Sequence, residues 1–240
     1  MLMQFILIVV LGAVAWFLLP FAVRKLSEKR LAELCRDNKA IVLSYDDGPG
    51  ADLTPRLLDL LKQHQAVATF FMLGRATQAN PETVARALRE GHEVGSHSFD
   101  HANAWKVLPV RAARDLAAGI HAVRTLGGDG HLFRPPYGKL TLATLLDGLL
   151  RRQSFGWWTI DTRDTKDHGA RRPVQDILDQ IRTGGGGVVL AHDFDRADEP
   201  PDGVSHTDYV MTLTEQVIAF ADQNGYRLMR LGDVLRRAQA

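Results

Sequence analysis

Cysteine is almost missing from this chain of 240 residues, with Cys35 the single example. One thiol excludes an internal disulfide and any Cys-rich zinc centre, and Cys35 reads as a small buried residue without a chemical role. Charge of one sign is not in excess either. Against 28 Asp+Glu stand 29 Lys+Arg, a net charge of +1, and the cations form no long stripe, so a nucleic-acid partner is excluded. Strong repeats, low-complexity tracts, an interdomain linker and hairpin signals are lacking too. Beyond an apolar N-terminal stretch about 200 residues remain, enough for one domain with a sizeable core.

That stretch, Leu2 to Val23, is apolar apart from Gln4, with Gly12 and Pro20 as its only breakers. As a helix of roughly 22 residues at ~1.5 Å each it would reach ~33 Å, the span of a bilayer. No Lys or Arg precedes it. The Ala13-Val14-Ala15 match to a cleavage site falls inside the run, before Trp16-Phe17-Leu18-Leu19, so a retained transmembrane anchor is expected rather than a cleaved signal peptide. Arg24, Lys25, Lys29 and Arg30 follow directly, and the positive-inside rule then predicts a single-pass membrane protein with its folded domain on the cytoplasmic side. The expected division is an anchor at 1–23, a juxtamembrane segment at 24–37 and one domain at 38–240.

Within that domain, short apolar runs alternate with helical patterns. Strands are predicted at Ala40 to Leu43, Val67 to Met72, Glu93 to Ser96, Leu132-Phe133, Phe155 to Ile160, Val188 to Ala191 and Tyr226 to Met229. Thr54-Pro55 and Asn80-Pro81 read as cap-and-proline helix starts, and further helices are predicted over Pro109 to Leu126, Thr141 to Arg152, Pro173 to Arg182 and Asp208 to Asn224. Seven strand-helix units without a hairpin signal imply a mostly parallel sheet, open or closed into a barrel.

Polar islands stand directly behind several of these runs. Asp46-Asp47, His97 and His101, Arg134-Pro135-Pro136-Tyr137 and His192-Asp193 would converge on the one face where parallel strands end. Two carboxylates, two histidines four apart and a further histidine are the ligand and acid/base inventory of a metal-dependent hydrolase. Each island has an ordinary reading as well. Asp-Asp-Gly-Pro is common turn chemistry, and the Pro-Pro loop is equally a stiff structural turn. His92 follows a helix stop, where the helix dipole favours an imidazolium, and is read as structural.

Taken in order, Ser44-Tyr45-Asp46-Asp47-Gly48-Pro49, His97-Ser98-x-x-His101, Arg134-Pro135-Pro136-Tyr137-Gly138, Asp161-x-x-Asp164 and Leu190-x-His192-Asp193 resemble the five motifs of the polysaccharide deacetylases, the NodB-homology family, over about residues 38 to 237. The resemblance implies a distorted (β/α)7 barrel that removes N-acetyl groups from amino sugars with a divalent metal, commonly zinc, with cobalt, manganese or nickel as substitutes. Carried over residue by residue, it makes Asp47, His97 and His101 the metal ligands and Asp46 the general base, paired with Arg134. The Tyr137 backbone N–H would face the oxyanion, His192 would protonate the leaving amine, Asp164 would orient His192, and Leu190 would line the acetyl pocket.

Two positions depart from the family pattern. Tyr45 replaces a more frequent phenylalanine, adding a hydroxyl that can hydrogen-bond. Thr165 stands where many members carry tryptophan, so one aromatic wall is missing, while Trp157, Trp158 and Trp105 are read as packing residues. The expected substrate is an N-acetylated glycan. Deacylation or deformylation of a polyprenyl-linked amino sugar and an inactive glycan-binding relative are the alternatives; a metal phosphoesterase would need more cations around its site.

Overall fold

The structure is a computed structural model that describes residues 2–196 and 203–237, with the side chains of residues 2, 5–11, 13 and 168 outside that description. A long helix, α1 (Leu2–Asp37), leads into the central strand β1 (Ala40–Asp46). The chain continues through α2 (Leu53–Gln63), β2 (Thr69–Met72), α3 (Gly74–Ala79), α4 (Pro81–Arg89), β3 (Glu93–Ser96), α5 (Pro109–Thr125), β4 (Leu132–Phe133) and α6 (Leu142–Leu150). Then come β5 (Ser154–Phe155), β6 (Ile160–Asp161), α7 (Val174–Gly184), β7 (Gly187–His192), α8 (His206–Asn224), β8 (Arg227–Leu228) and α9 (Leu231–Arg236).

Every strand pair is parallel, in the order β5-β4-β3-β2-β1-β7-β6, with β8 joined to the start of β1. The sheet curls into an open half-barrel. Its edges, β5 and β6, are two-residue strands separated by residues 156–159, where the sequence predicts one continuous strand. Because β1 is buried on both faces, its alternation splits the core. Ile41, Leu43 and Tyr45 face outward onto α2 and α8, while Ala40 and Val42 face the concave side with Phe71, Val188 and Trp157.

The concave side is closed by α1 and α9. Leu31 and Cys35 of α1 and Leu231 and Val234 of α9 are core residues there, so the second half of the expected juxtamembrane segment 24–37 packs into the core. Burial pushes the Cys35 thiol up to about 12, in keeping with an inert packing residue. Arg24 ties the same helix to the barrel. It pairs with Glu28, donates to Gly138 O at 2.6 Å and lies 4.7 Å from the Trp158 ring centroid. Pro20 sits inside α1 without ending it. Among the described residues no helix is long and apolar enough to cross a membrane. Much of the expected anchor, residues 5–11 and 13, lies outside the described side chains.

Two helix starts differ from expectation. The helix predicted from Thr54 begins at Leu53, and its exposed N–H groups are capped from far away: Asp195 accepts from Ala51 N at 2.6 Å and Leu53 N at 2.9 Å. Asn80 precedes α4 as expected, but its side chain donates to Pro49 O rather than capping.

Candidate active site at the carboxyl edge of the sheet

The last inward-facing residue of β1 is Asp46, 3 % exposed, and in the parallel register it stands beside Phe71 of β2 and His192 of β7. Arg134, fully buried, crosses the concave interior to meet it, Nη1 donating to Asp46 Oδ1 at 2.7 Å and to Ser44 Oγ at 3.0 Å. The rest of the guanidinium is satisfied by Gly156 O and Trp157 O, and its plane rests 4.0 Å from the Phe71 ring centroid. Burial raises the Asp46 carboxyl above its usual range, against the opposing pull of Arg134.

Adjacent carboxylates on an extended strand point to opposite sides. Here the strand ends between them: Asp47 takes φ +73°, which turns its side chain into the same cavity. Gly48 follows, and a Cβ there would collide with the Asp193 carboxylate, whose Oδ1 accepts from Gly48 N at 3.1 Å. The turn is thus clamped to the end of β7.

Beyond β3 the chain folds back on itself, with Ser98 and His101 also at positive φ. Two features of α5 hold this loop. Asp115 accepts from Asp100 N at 2.7 Å and Ala102 N at 3.0 Å, and Gly119 lets the helix approach so closely that a Cβ would overlap the Ser98 backbone. Both imidazoles then face Asp47, with Oδ1 3.5 Å from His97 Nε2 and 3.3 Å from His101 Nε2.

One ligand atom from each of Asp47, His97 and His101 falls within 4.8 Å of the others. Asp47 Oδ1 is buried without a hydrogen-bond partner, which a cation would relieve. His97 Nδ1 meets the Arg134 carbonyl at 2.8 Å; since a carbonyl only accepts, the proton sits on Nδ1 and Nε2 presents a lone pair. Burial holds this imidazole down to about 3, so it is neutral. One carboxylate and two histidines suit a divalent metal with coordination sites left open.

On the opposite wall His192 Nδ1 lies 2.9 Å from Asp164 Oδ1, leaving Nε2 for the cleft. Asp164 has no exposure and also accepts from His192 N at 2.8 Å and from His206 Nε2 at 3.2 Å. Burial alone would raise Asp164, yet His192 and His206 together hold it below the carboxylate range. Burial would likewise lower His192, but Asp164, helped by Asp46 and Asp47, lifts it to about 10. Between the two walls lies a cleft of ≈ 480 Å³, bordered also by Tyr137, Trp158, Thr165 and Leu190.

All nine predicted site residues therefore gather here, seven on the cleft surface and two, Arg134 and Asp164, directly behind it. Tyr45 does use its hydroxyl, 2.7 Å from Thr214 Oγ1. His206 and Asp115 went unseen in the sequence. His206 stands at the start of α8 in no motif, while a lone aspartate on the buried face of α5 was the one available sign of Asp115. Trp157 is core, as expected, but Trp158 lines the cleft and Trp105 is 46 % exposed at its rim. His92 is not an imidazolium: burial lowers it to about 4, and Nδ1 accepts from Ala68 N.

Fold and site together define a parallel half-barrel with an Asp-His-His cluster that could hold a metal on one wall and a histidine-carboxylate pair on the other. The family model for polysaccharide deacetylase matches residues 33–148. The chain is 30% identical over 206 residues to the peptidoglycan-N-acetylglucosamine deacetylase of Bacillus cereus, covering 85% of this chain and 92% of that one. It is 31% identical over 191 residues to the chitooligosaccharide deacetylase of Rhizobium leguminosarum bv. phaseoli, covering 77% and 82%. The crystal structure of the Bc1960 peptidoglycan N-acetylglucosamine deacetylase aligns with a TM-score of 0.71 at 26% identity over 83% of this chain and 89% of that one. The chain belongs to the polysaccharide deacetylase family.

Proposed function

We propose that the protein hydrolyses the N-acetyl group of an amino sugar borne on a glycan or glycolipid, with a divalent metal, zinc foremost, held by Asp47, His97 and His101. The single observation carrying this reading is the register that sets Asp46 beside His192, a base and an acid on neighbouring strand ends flanking one cleft. When bound, the metal would polarise the amide carbonyl and acidify water. The chain's own residues do the rest. Asp46, oriented by Arg134, whose Nη1 also donates to Ser44 Oγ, takes the proton of the attacking water as its oxygen adds to the amide carbon. The Tyr137 backbone N–H faces the developing oxyanion, a contact worth ~3 kcal/mol in comparable sites. As the C–N bond breaks, His192 Nε2 gives its proton to the departing nitrogen, and acetate and a free amine result. A pKa near 10 keeps His192 protonated for that step at neutral pH. Leu190 borders the space for the acetyl methyl.

The purified full chain, loaded with zinc, should release acetate from chitotetraose or peptidoglycan fragments, and a chelator should abolish release reversibly. Metal-loaded protein that binds these glycans yet frees no acid would instead be an inactive glycan-binding relative.

For location, the reading rests on the apolar run Leu2 to Val23 and on Lys25, Lys29 and Arg30 behind it. It makes residues 2–23 a retained anchor and puts the catalytic domain on the cytoplasmic side. Alkaline phosphatase fused after Ala240 should then be inactive and green fluorescent protein bright; the reverse pattern moves the domain across the membrane.

A further inference from the structure

Tyr137 belongs to two surfaces at once. One side of its ring packs on the ligand His101, with centroids 4.4 Å apart, and the other borders a groove of ≈ 110 Å³ shared with Pro20 and Phe21 of α1 and with Trp105. Trp105 meets Phe17 edge-on at 5.4 Å, donates its indole N–H to Leu140 O at 2.9 Å and carries Lys139 Nζ 4.9 Å from its ring centroid. Tyr137 thus stands between the catalytic cleft and a groove that α1 helps to line.

The helix has a direction relative to that cleft. Its last turn precedes β1 at the amino edge of the sheet, and by Arg24 and Phe17 it has climbed to the carboxyl edge, where it touches Gly138 and Trp105. Residues 2–16 continue past the cleft mouth, about 22 Å of helix at ~1.5 Å per residue. On the stretch of α1 that meets Trp105 and at the start of α5, large apolar side chains are exposed: Leu18 58 %, Phe21 51 %, Leu108 77 % and Val110 60 %. Lys25, Lys106, Arg111 and Lys139 are interspersed with them. Apolar residues and aromatics mixed with cations on one rim match an anionic lipid interface. At the opposite end α8 stops with Asp222, Gln223 and Asn224 exposed, and the end of α6 exposes Leu149 and Leu150.

We infer that the cleft mouth faces an anionic lipid surface and that the substrate is an amphiphile, an N-acylated amino sugar carried on a lipid. This rests on the deacylase reading above. The sugar enters between Asp46 and His192, and the lipid portion lies along Trp105 and α1.

Single cysteines replacing Leu108 or Gln223 test the orientation, since Cys35 is buried and unreactive. With the full chain in phosphatidylglycerol/phosphatidylcholine vesicles, a nitroxide at Leu108→Cys should gain collisions with oxygen and lose them with a water-soluble nickel complex, while one at Gln223→Cys stays aqueous. A Leu108 label that remains aqueous, or that is already shielded without lipid by a second copy of the chain, overturns the proposal. In the same vesicles the zinc enzyme should deacetylate an N-acetylglucosaminyl lipid at least about tenfold faster than soluble chitotetraose, and Leu108→Glu with Val110→Glu should remove that advantage alone. Equal rates on both substrates, unchanged in the double variant, refute the lipid-facing cleft and leave the deacylase standing. No acid from either substrate refutes the deacylase reading, whatever the labels report.

Discussion

The two walls of the cleft satisfy their polar atoms in opposite ways. On the Asp47 wall, Oδ1 is buried without a partner and His97 Nε2 offers its lone pair to the same space. On the His192 wall every oxygen of Asp164 is engaged, by His192 twice and by His206. A wall with unmet valence is built to receive a cation; a saturated one is built to fix a proton on a particular nitrogen. Arg134 supports both Asp46 and the Asp47 wall, its guanidinium on Asp46 and its carbonyl on His97.

Breaking that shared support has the largest expected effect. Arg134→Ala leaves a buried Asp46 without its cation, and a loss of about 3–5 kcal/mol in unfolding free energy is expected by denaturant titration, together with activity. Arg134→Lys should rescue little, because one ammonium nitrogen cannot reach the four acceptors, Asp46, Ser44 Oγ, Gly156 O and Trp157 O, that three separate guanidinium nitrogens meet.

The Asp47 wall can be loosened without touching Asp47, His97 or His101. Asp115→Ala and Gly119→Ala act on the loop that aims His97 and His101, and each should weaken zinc affinity by roughly 10–100-fold in competition titrations. Unaltered affinity in both would mean that the loop holds its shape unaided.

On the saturated wall, His206→Phe should lower kcat/KM by roughly tenfold with zinc content unchanged, as for other outer-shell partners, and His206→Gln, which still donates to Asp164, should restore most of it. A fall in bound metal would place His206 on the wrong side of the comparison.

The smallest effect is a pH dependence. Burial, reinforced by Asp46 and Asp47, raises Asp193 to about 7. A carboxyl raised in the folded state contributes stability that is complete below its unfolded value of ~3.9 and is lost as pH rises through about 7. Measured without metal, Asp193→Asn should narrow the stability gap to wild type across that window and be the more stable protein above it. A constant gap from pH 4 to 8 would contradict this.

How much of this was legible depends on how local the cause is. Strands β1, β3 and β7 carry their own apolar runs with Asp46, Asp47, His97, His101 and His192 at or just behind their ends, and a Pro-Pro loop marks Arg134 and Tyr137, whereas Asp164 and Leu190 were named only through the family resemblance. The half-barrel's openness was not readable, because edge strands of two residues have no period. The start of α2 misled, since its cap is Asp195, far along the chain, and Thr54 instead bonds Asp193. Asp47's orientation depends on a positive φ that no residue type announces. Most distant of all is the docking of α1: its apolar run reads as an anchor, and its packing on the domain shows only in the contacts of Phe17 with Trp105 and of Leu31 and Cys35 with the core.

The division of labour between the walls is tested most directly by zinc stoichiometry and single-turnover rate in Asp47→Ala, Asp46→Asn and His192→Ala. Asp47→Ala should lose both metal and activity. The other two should keep near-stoichiometric zinc while slowing by roughly 10²–10⁴-fold, the range for a missing general base or acid. If Asp46→Asn loses the metal while Asp47→Ala retains it, or if His192→Ala turns over at the wild-type rate, the assignment of the walls is wrong.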